Sequence, residues 1–285
     1  MRKIGGHVSA AGGVDKAVER AHAIAANCVQ VFSGSPRVWQ RTPIDKINFP
    51  LIAQRQTELG VTPIVTHALY LTNLASDNPE LCAKSCKALI YDLEFDSLVK
   101  GAGVVVHVGS HQGRGWEAVK QNVVTQITHI LSNSPDDSRF LIENSAGQQG
   151  KIFSDLGEIR WVLDQIKSPR LGWCYDTCHS FAAGHALGKS TVHDSKLSIT
   201  EEIEKWHLWD ELSVIHVNDS RDPFDSGRDR HANLGDGEIP AADLSYFLNF
   251  PLVKDKPLIL EVPGIEGEGP DAENVSRLKK IVGEI

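Results

Sequence analysis

The sequence predicts an α/β protein, a (β/α)8 TIM barrel forming a single domain over residues 1–285. Three observations carry that expectation. Eight short apolar or β-branched runs alternate with longer, charged, amphipathic stretches and start roughly every 25 to 45 residues. Eight such units fit a closed barrel better than an open doubly wound sheet. No Gly-x-Gly-x-x-Gly follows the first run, which argues against a dinucleotide fold.

The expected strands are Lys3–Val8, Cys28–Phe32, Val61–Thr66, Gly103–Val108, Arg139–Ile142, Leu171–Tyr175, Ser213–Val217 and Pro257–Leu260. The helices between them begin with Val14–Ala26, which has Asp15 in its first turn, and Pro79–Ala102, where Leu81, Leu89, Leu93 and Leu98 fall near helical spacing. Trp116–Leu131, Leu156–Ile166, Ile199–Leu212 and Ala241–Phe250 follow the same pattern. Asn274–Ile285 closes the chain, with Asn274 as the expected N-cap.

Composition sets limits. A chain of 285 residues that is 41% hydrophobic can bury one large core. No stretch approaches the ~20 apolar residues of a membrane span, and no secretory core precedes the first strand, so a cytoplasmic protein is expected. Cys28, Cys82, Cys86, Cys174 and Cys178 are odd in number, too sparse for a disulfide scaffold and spaced for neither a zinc knuckle nor a redox pair; they read as small buried thiols. The net charge of −8 opposes a broad nucleic-acid surface, so any contact with phosphate must rest on a local positive field.

The residues that end the strands give the strongest signal. His67, His107, Glu143, Asp176, His216 and Glu261 each follow an apolar run, and in a barrel those ends converge on one mouth. A lone histidine after a strand is more often a satisfied core or loop residue than a ligand, and a lone glutamate can serve a salt bridge. Six such groups around one ring are expensive to bury unless cations hold them. Asp176 and His179 lie three apart, close enough to share a metal or to serve two neighbouring ones, while Asp229 and His231 are two apart in the loop after the seventh strand. These nine candidate ligands suit two or three metals with shared carboxylates. His7 reads as a residue behind them and His111 as a substrate contact; His22, His129, His185, His193 and His207 read as helical or surface residues.

Five segments match one family closely: Gly5–Gly13, Ile142–Gln148, Asp176–Gly184, His216–Ser220 and Asp229–Gly237. On these the chain resembles the endonuclease IV family of abasic-site endonucleases over nearly its whole length. The resemblance implies a zinc-dependent phosphodiesterase of base excision repair that cuts duplex DNA 5′ to an abasic site, leaving a 3′-hydroxyl and a 5′-deoxyribose phosphate, with 3′-end trimming as a further activity. It implies three Zn2+: one on His67, His107 and Glu143; a second on Glu143, Asp176, His216 and Glu261; a third on His179, Asp229 and His231. Carboxylate-rich sets also admit Mn2+ or Fe2+ in some sites. Glu143 is then the catalytic candidate, as a bridging ligand that orients the nucleophile. Arg37, Tyr70 and Leu71 resemble the family's DNA-inserting residues, although on their own they read as loop residues. A monomer without membrane contact is implied. Before the last ligands the family has Gly-Ser-Arg-Val-Asp-Arg-His where this chain has Asp225-Ser226-Gly227-Arg228-Asp229-Arg230-His231, so its upstream arginine is displaced by one.

Two other readings compete. A metal-dependent sugar isomerase or epimerase shares the barrel and its strand-end ligands, but has no use for the Asp229/His231 pair or the Arg37 and Tyr70 loops. A damaged-DNA binder without catalysis would not need the full ligand set.

Overall fold

The computed structural model describes residues 1–190 and 197–285. His193 lies outside the described residues. Eight parallel strands close a barrel among the described residues: β1 (Ile4–His7), β2 (Cys28–Phe32), β3 (Ile64–His67), β4 (Val104–Val106), β5 (Phe140–Glu143), β6 (Leu171–Asp176), β7 (Leu212–His216) and, after a short antiparallel pair β8 (Asp219–Ser220) and β9 (His231–Ala232), β10 (Leu258–Leu260). The order around the barrel is β1-β10-β7-β6-β5-β4-β3-β2. The strands differ from the apolar runs by a few residues at their ends, because pairing rather than apolarity decides where a strand stops.

Both faces of a barrel strand are buried, so the strands are nearly continuously apolar. Outward residues such as Val29, Ile64, Val104, Phe140, Trp173, Ile215 and Leu258 pack beneath the helices. The inward ones, Cys28, Val65, Val105, Leu141, Cys174, Val214 and Ile259, form a separate cluster inside the barrel. β1 contributes Gly5 to that layer, where a Cβ would lie 2.3 Å from the Cys28 carbonyl oxygen. Side chains two apart on a strand share a face. The next inward layer is therefore His7, Gln30, His67, His107, Glu143, Asp176, His216 and Glu261. An apolar floor thus carries a polar ring.

The helices are α1 (Val14–Ala23), α2 (Phe49–Leu59), α3 (Pro79–Val99), α4 (Trp116–Ser132), α5 (Leu156–Ile166), α6 (Thr177–Ala182), α7 (Ile199–Lys205), α8 (Ala241–Leu248) and α9 (Ala272–Ile281). Two of them fall outside the sequence expectations. α2 starts at Asn48, whose side chain accepts from Leu51 N, and ends at Gly60 in the left-handed region. α6 follows Asp176 directly. α7 stops well short of Leu212 because His207 turns the chain at φ 49°. α9 is capped by Asp271, not Asn274: the Asp271 carboxylate accepts from Asn274 N at 2.8 Å. Asn274 is fully buried and its side chain is used elsewhere, on Asn233 and on Leu234 N.

The five cysteines are buried and carry no disulfide. Among the described residues no helix is long and apolar enough to cross a membrane.

Candidate metal centre

The polar ring opens into a cleft of ≈ 1650 Å³ at the C-terminal ends of the strands. Glu143 stands at its centre. One carboxylate oxygen, Oε2, is 3.5 Å from His67 Nε2 and 3.3 Å from His107 Nδ1; the other, Oε1, is 3.0 Å from His216 Nδ1. His216 Nδ1 is also 3.1 Å from Glu261 Oε2 and 3.8 Å from Asp176 Oδ2. To one side, Asp229 Oδ1 is 3.0 Å from His179 Nε2 and 3.3 Å from His231 Nε2.

The nine residues singled out from the sequence thus come together in three groups, each with donor atoms within 4.8 Å of one another: His67, His107 and Glu143; Glu143, Asp176, His216 and Glu261, sharing Glu143 with the first; and His179, Asp229 and His231. Asp176 and His179 fall in different groups. Asp176 caps α6, with Oδ1 accepting from His179 N at 2.8 Å, and the first turn of that helix swings the imidazole toward Asp229. Asp176, Cys178 and His231 form a fourth set within the same reach; burial pushes the Cys178 thiol up, and its Sγ lies 3.7 Å from the Arg230 carbonyl.

The groups behind the ring decide which imidazole nitrogens are free. His67 Nδ1 donates to the Ala68 carbonyl at 2.7 Å, His179 Nδ1 to the Asn144 carbonyl at 3.0 Å, and His231 Nδ1 to the Glu261 carbonyl at 3.2 Å. Each leaves Nε2 facing a carboxylate, as the nitrogen on which a metal would replace a proton. His216 is turned the other way: Nε2 donates to Gln30 Oε1 at 2.8 Å and Nδ1 faces the carboxylates. This is the arrangement a metal ligand requires. The buried atoms His107 Nδ1, His231 Nε2 and Glu143 Oε2 have no hydrogen-bond partner, which is costly unless a cation completes them. The donor set fits zinc: nitrogen and carboxylate oxygen, three or four per group.

Electrostatics point the same way. Burial pushes Glu143 up, but His107 and His216 outweigh it and hold the carboxyl well below the ordinary range. Glu261 is held down against burial by His216 and His7. Burial works against protonation of His179, yet Asp176 and Asp229 raise it to about 10; His231 rises to about 9 beside Asp229. His107 is driven by burial down to about 3. Glu143, Asp229 and Glu261, all held low, thus attract protons onto His67, His179, His216 and His231, and a dication would compete for those same nitrogens.

Tyr70 and Leu71 line the cleft, and Tyr70 is 56% exposed, its ring edge-on to Phe32 at 5.2 Å. Arg37 is exposed on the adjoining loop, and Tyr70 N donates to the Pro36 carbonyl at 3.1 Å, which ties the two loops together. Arg228 and Arg230 both reach Asp222. His7 belongs to the ring, with Nδ1 2.8 Å from Glu261 Oε1. His111 braces its own loop, where Nδ1 accepts from Gly113 N and Gly115 N. His185 bridges Glu202 and the Ser154 carbonyl, and His22, His129 and His207 are exposed.

Several contributors to the site lie outside those nine residues. Gln30 is the lone polar residue of Cys28-Val29-Gln30-Val31-Phe32, which is itself a signal. Asn218 lies two residues after His216; its Nδ2 donates to Asp176 Oδ2 at 2.7 Å and its Oδ1 accepts from Glu261 N at 2.8 Å. Gln148 and Lys151, on the loop after β5, both reach Asp229.

Residues 18–281 match the family model described as xylose isomerase-like TIM barrel. "Probable endonuclease 4" of Halothermothrix orenii is 34% identical over 279 residues, covering 98% of this chain and 99% of that protein. The crystal structure of endonuclease IV from Thermus thermophilus superposes with a TM-score of 0.86 at 30% identity, covering 99% of this chain and 100% of that one. A 3-keto-D-glucoside 4-epimerase from E. coli has the same fold, at a TM-score of 0.71 and 12% identity over 98% of this chain and 100% of that one. Fold alone therefore does not separate sugar chemistry from nuclease chemistry, but full-length sequence similarity does: the chain belongs to the endonuclease IV family.

Proposed function

We propose that this protein is an abasic-site endonuclease that uses three Zn2+ to hydrolyse the phosphodiester 5′ to the lesion in duplex DNA. The observation that carries the reading is the third donor group, His179, Asp229 and His231, set beside the two groups that share Glu143. An isomerase acting on one small sugar has no need of it, whereas a phosphodiester presents an attacked phosphorus, charged oxygens and a departing oxygen at once.

Bound there, the dications supply Lewis acidity and a water of lowered pKa. His67, His107 and Glu143 hold the first ion, Glu143, Asp176, His216 and Glu261 the second, and His179, Asp229 and His231 the third. Glu143 links two groups and fixes their separation. Gln30, Asn218 and the backbone carbonyls of Ala68, Asn144 and Glu261 keep the ligand atoms aimed inward. In the reaction a water oxygen bonds to phosphorus as the bond to the 3′-oxygen breaks. One water proton ends on that 3′-oxygen and the other passes to solvent, leaving a 3′-hydroxyl and a 5′-deoxyribose phosphate. Tyr70 and Leu71, which line the cleft, with Arg37 on the adjoining loop, would enter the duplex where a base is missing, since a baseless sugar leaves the stack at little cost. Three dications outweigh the four carboxylates among the ligands, so an acidic protein can still draw phosphate to this mouth.

The test is cleavage of a labelled duplex carrying one abasic-site analogue, beside the undamaged duplex, before and after prolonged chelation. Incision at the lesion alone, lost on chelation and restored by zinc, is the expected result. Intact DNA with fully metallated protein would turn the assignment toward carbohydrate substrates.

A further inference from the structure

The cleft that must accept a polyanion is poor in fixed cations. Among the described residues that line it, the lysines and arginines are Lys46 and Lys151 alone. Lys46 is 71% exposed and its ion-pair partner is its neighbour Asp45 at 3.7 Å. Of the arginines on nearby loops, Arg228 and Arg230 are paired with Asp222 and Arg114 with the Ala75 carbonyl and Asp77, while Arg37 is exposed and does not line the cleft.

Lys151 is different. Its backbone is held between the loops that follow β4 and β5. It pairs with Ser110 in an antiparallel bridge, Ile152 N donates to the Gly109 carbonyl at 3.2 Å, His111 N to Gly150 at 2.9 Å, and Ser110 Oγ to Gln149 at 2.7 Å. From that anchored position Nζ reaches to 3.5 Å from Asp229 Oδ2, with the side chain 30% exposed. Gln148 Nε2 donates to the same oxygen at 3.1 Å. The opposite oxygen, Oδ1, faces His179 and His231. The ammonium therefore sits behind the third donor group, on the side of Asp229 away from the imidazoles.

We propose that Lys151 is a catalytic residue that contacts a non-bridging oxygen of the phosphate being cut. An ammonium has three donors and a compact charge. One engages Asp229, and because Lys151 also lines the cleft with its side chain part-exposed, the others are open to a phosphate bound there. Its part is to stabilise charge that grows on the phosphoryl oxygens. The inference rests on the endonuclease reading above. The competing role is purely local: Lys151 neutralises Asp229 and supports the third ion.

Lys151→Met and Lys151→Arg separate the two. The variants and the wild type are compared for zinc content, for kcat and KM on an abasic duplex, and for binding of an uncleavable phosphorothioate abasic duplex over a salt series. The expected result for Lys151→Met is wild-type zinc content, a kcat lower by about 10- to 100-fold, and a salt slope shallower by about one. Lys151→Arg should recover most of both losses. Unchanged kcat and slope would overturn the proposal. So would loss of zinc with an unchanged slope, which would leave Lys151 as a support for Asp229. If the wild type binds this DNA but cuts none, the endonuclease reading falls, and the salt slope still decides whether Lys151 meets a phosphate.

Discussion

Gln30 and His216 are joined by a 2.8 Å hydrogen bond, Nε2–H of the imidazole to Oε1 of the amide, at the base of the polar ring. The amide nitrogen of Gln30 donates at 2.7 Å to Glu261 Oε1. One side chain thus fixes the tautomer of His216 and the rotation of Glu261, both in the group expected to hold the second ion. Replacing Gln30 by leucine keeps the bulk and removes both bonds. Groups that orient a metal's ligands are commonly worth 10- to 100-fold in affinity. Zinc affinity of Gln30→Leu, measured by competition with a chelator, should fall by about that factor at one of three sites. Wild-type affinity at all three would show that the ring holds its own geometry.

The same layer shows how much of the site was legible. His67, His107, Glu143, Asp176, His216 and Glu261 could be read because an ionisable residue interrupts an apolar strand only at a cost. Gln30 and His7 occupy the equivalent positions on β2 and β1. Their meaning depends on strand register, which one sequence does not reveal: Gly5 pairs with Cys28, and His7 with Gln30. α2 has little helical signature because Ile52 is the residue it buries. α6 is too short for periodicity to show. Lys151 was invisible for another reason, since its function depends on a loop bringing it to Asp229, 78 residues downstream in numbering (229 − 151).

Asp219 holds the loop that carries His231. Its Oδ2 accepts from Gly235 N at 2.9 Å and Gly237 N at 3.1 Å, and its Oδ1 from Ser220 N at 2.8 Å and Ile239 N at 3.0 Å. A Cβ on Gly237 would come 2.4 Å from Oδ1, so the approach needs glycine there. Asp219→Ala strands buried amides and should cost about 3 kcal/mol. Amide exchange should accelerate across 231–239 while the barrel strands stay protected. Uniform acceleration throughout the chain would mean that the carboxylate supports the whole fold rather than this loop.

Asp96 supplies a pH dependence that lies apart from the ligands. It is buried in α3, its Oδ1 accepts from Thr66 Oγ1 at 2.9 Å, and its Oδ2 has no hydrogen-bond partner. Burial pushes the carboxyl up to about 7, against the Thr66 and Gly103 hydrogen bonds that lower it. An unfolded aspartate titrates near ~4. A group raised on folding stabilises the protein fully below its unfolded pKa, and that contribution is lost as pH rises through the folded value. The wild type should therefore lose stability relative to Asp96→Asn between pH ~4 and ~7, by up to roughly 4 kcal/mol. Urea midpoints of the two proteins at pH 5 and pH 8 give the comparison; parallel midpoints would mean that Asp96 is ionised in the folded state at both.

Metal stoichiometry should depend on which ligand is removed. Glu143 offers an oxygen to each of two donor groups, whereas His231 belongs to the group built on Asp229. Glu143→Ala leaves His67 and His107 as a two-nitrogen remnant, and removes one of four donors from the set of Asp176, His216 and Glu261. His231→Ala leaves both Glu143 groups intact. After dialysis against a mild chelator, His231→Ala should retain two equivalents of zinc and Glu143→Ala one or two, with the weaker of its remaining ions exchanging at least about ten times faster. Incision should be abolished by Glu143→Ala and reduced by about 100-fold or more by His231→Ala. A His231→Ala protein that kept three ions, or a Glu143→Ala protein that still turned over, would show that the metals do not follow these groupings. Loss of every ion from His231→Ala would instead mean that the three groups load as one unit, with His179 and Asp229 needed before Glu143 can bridge.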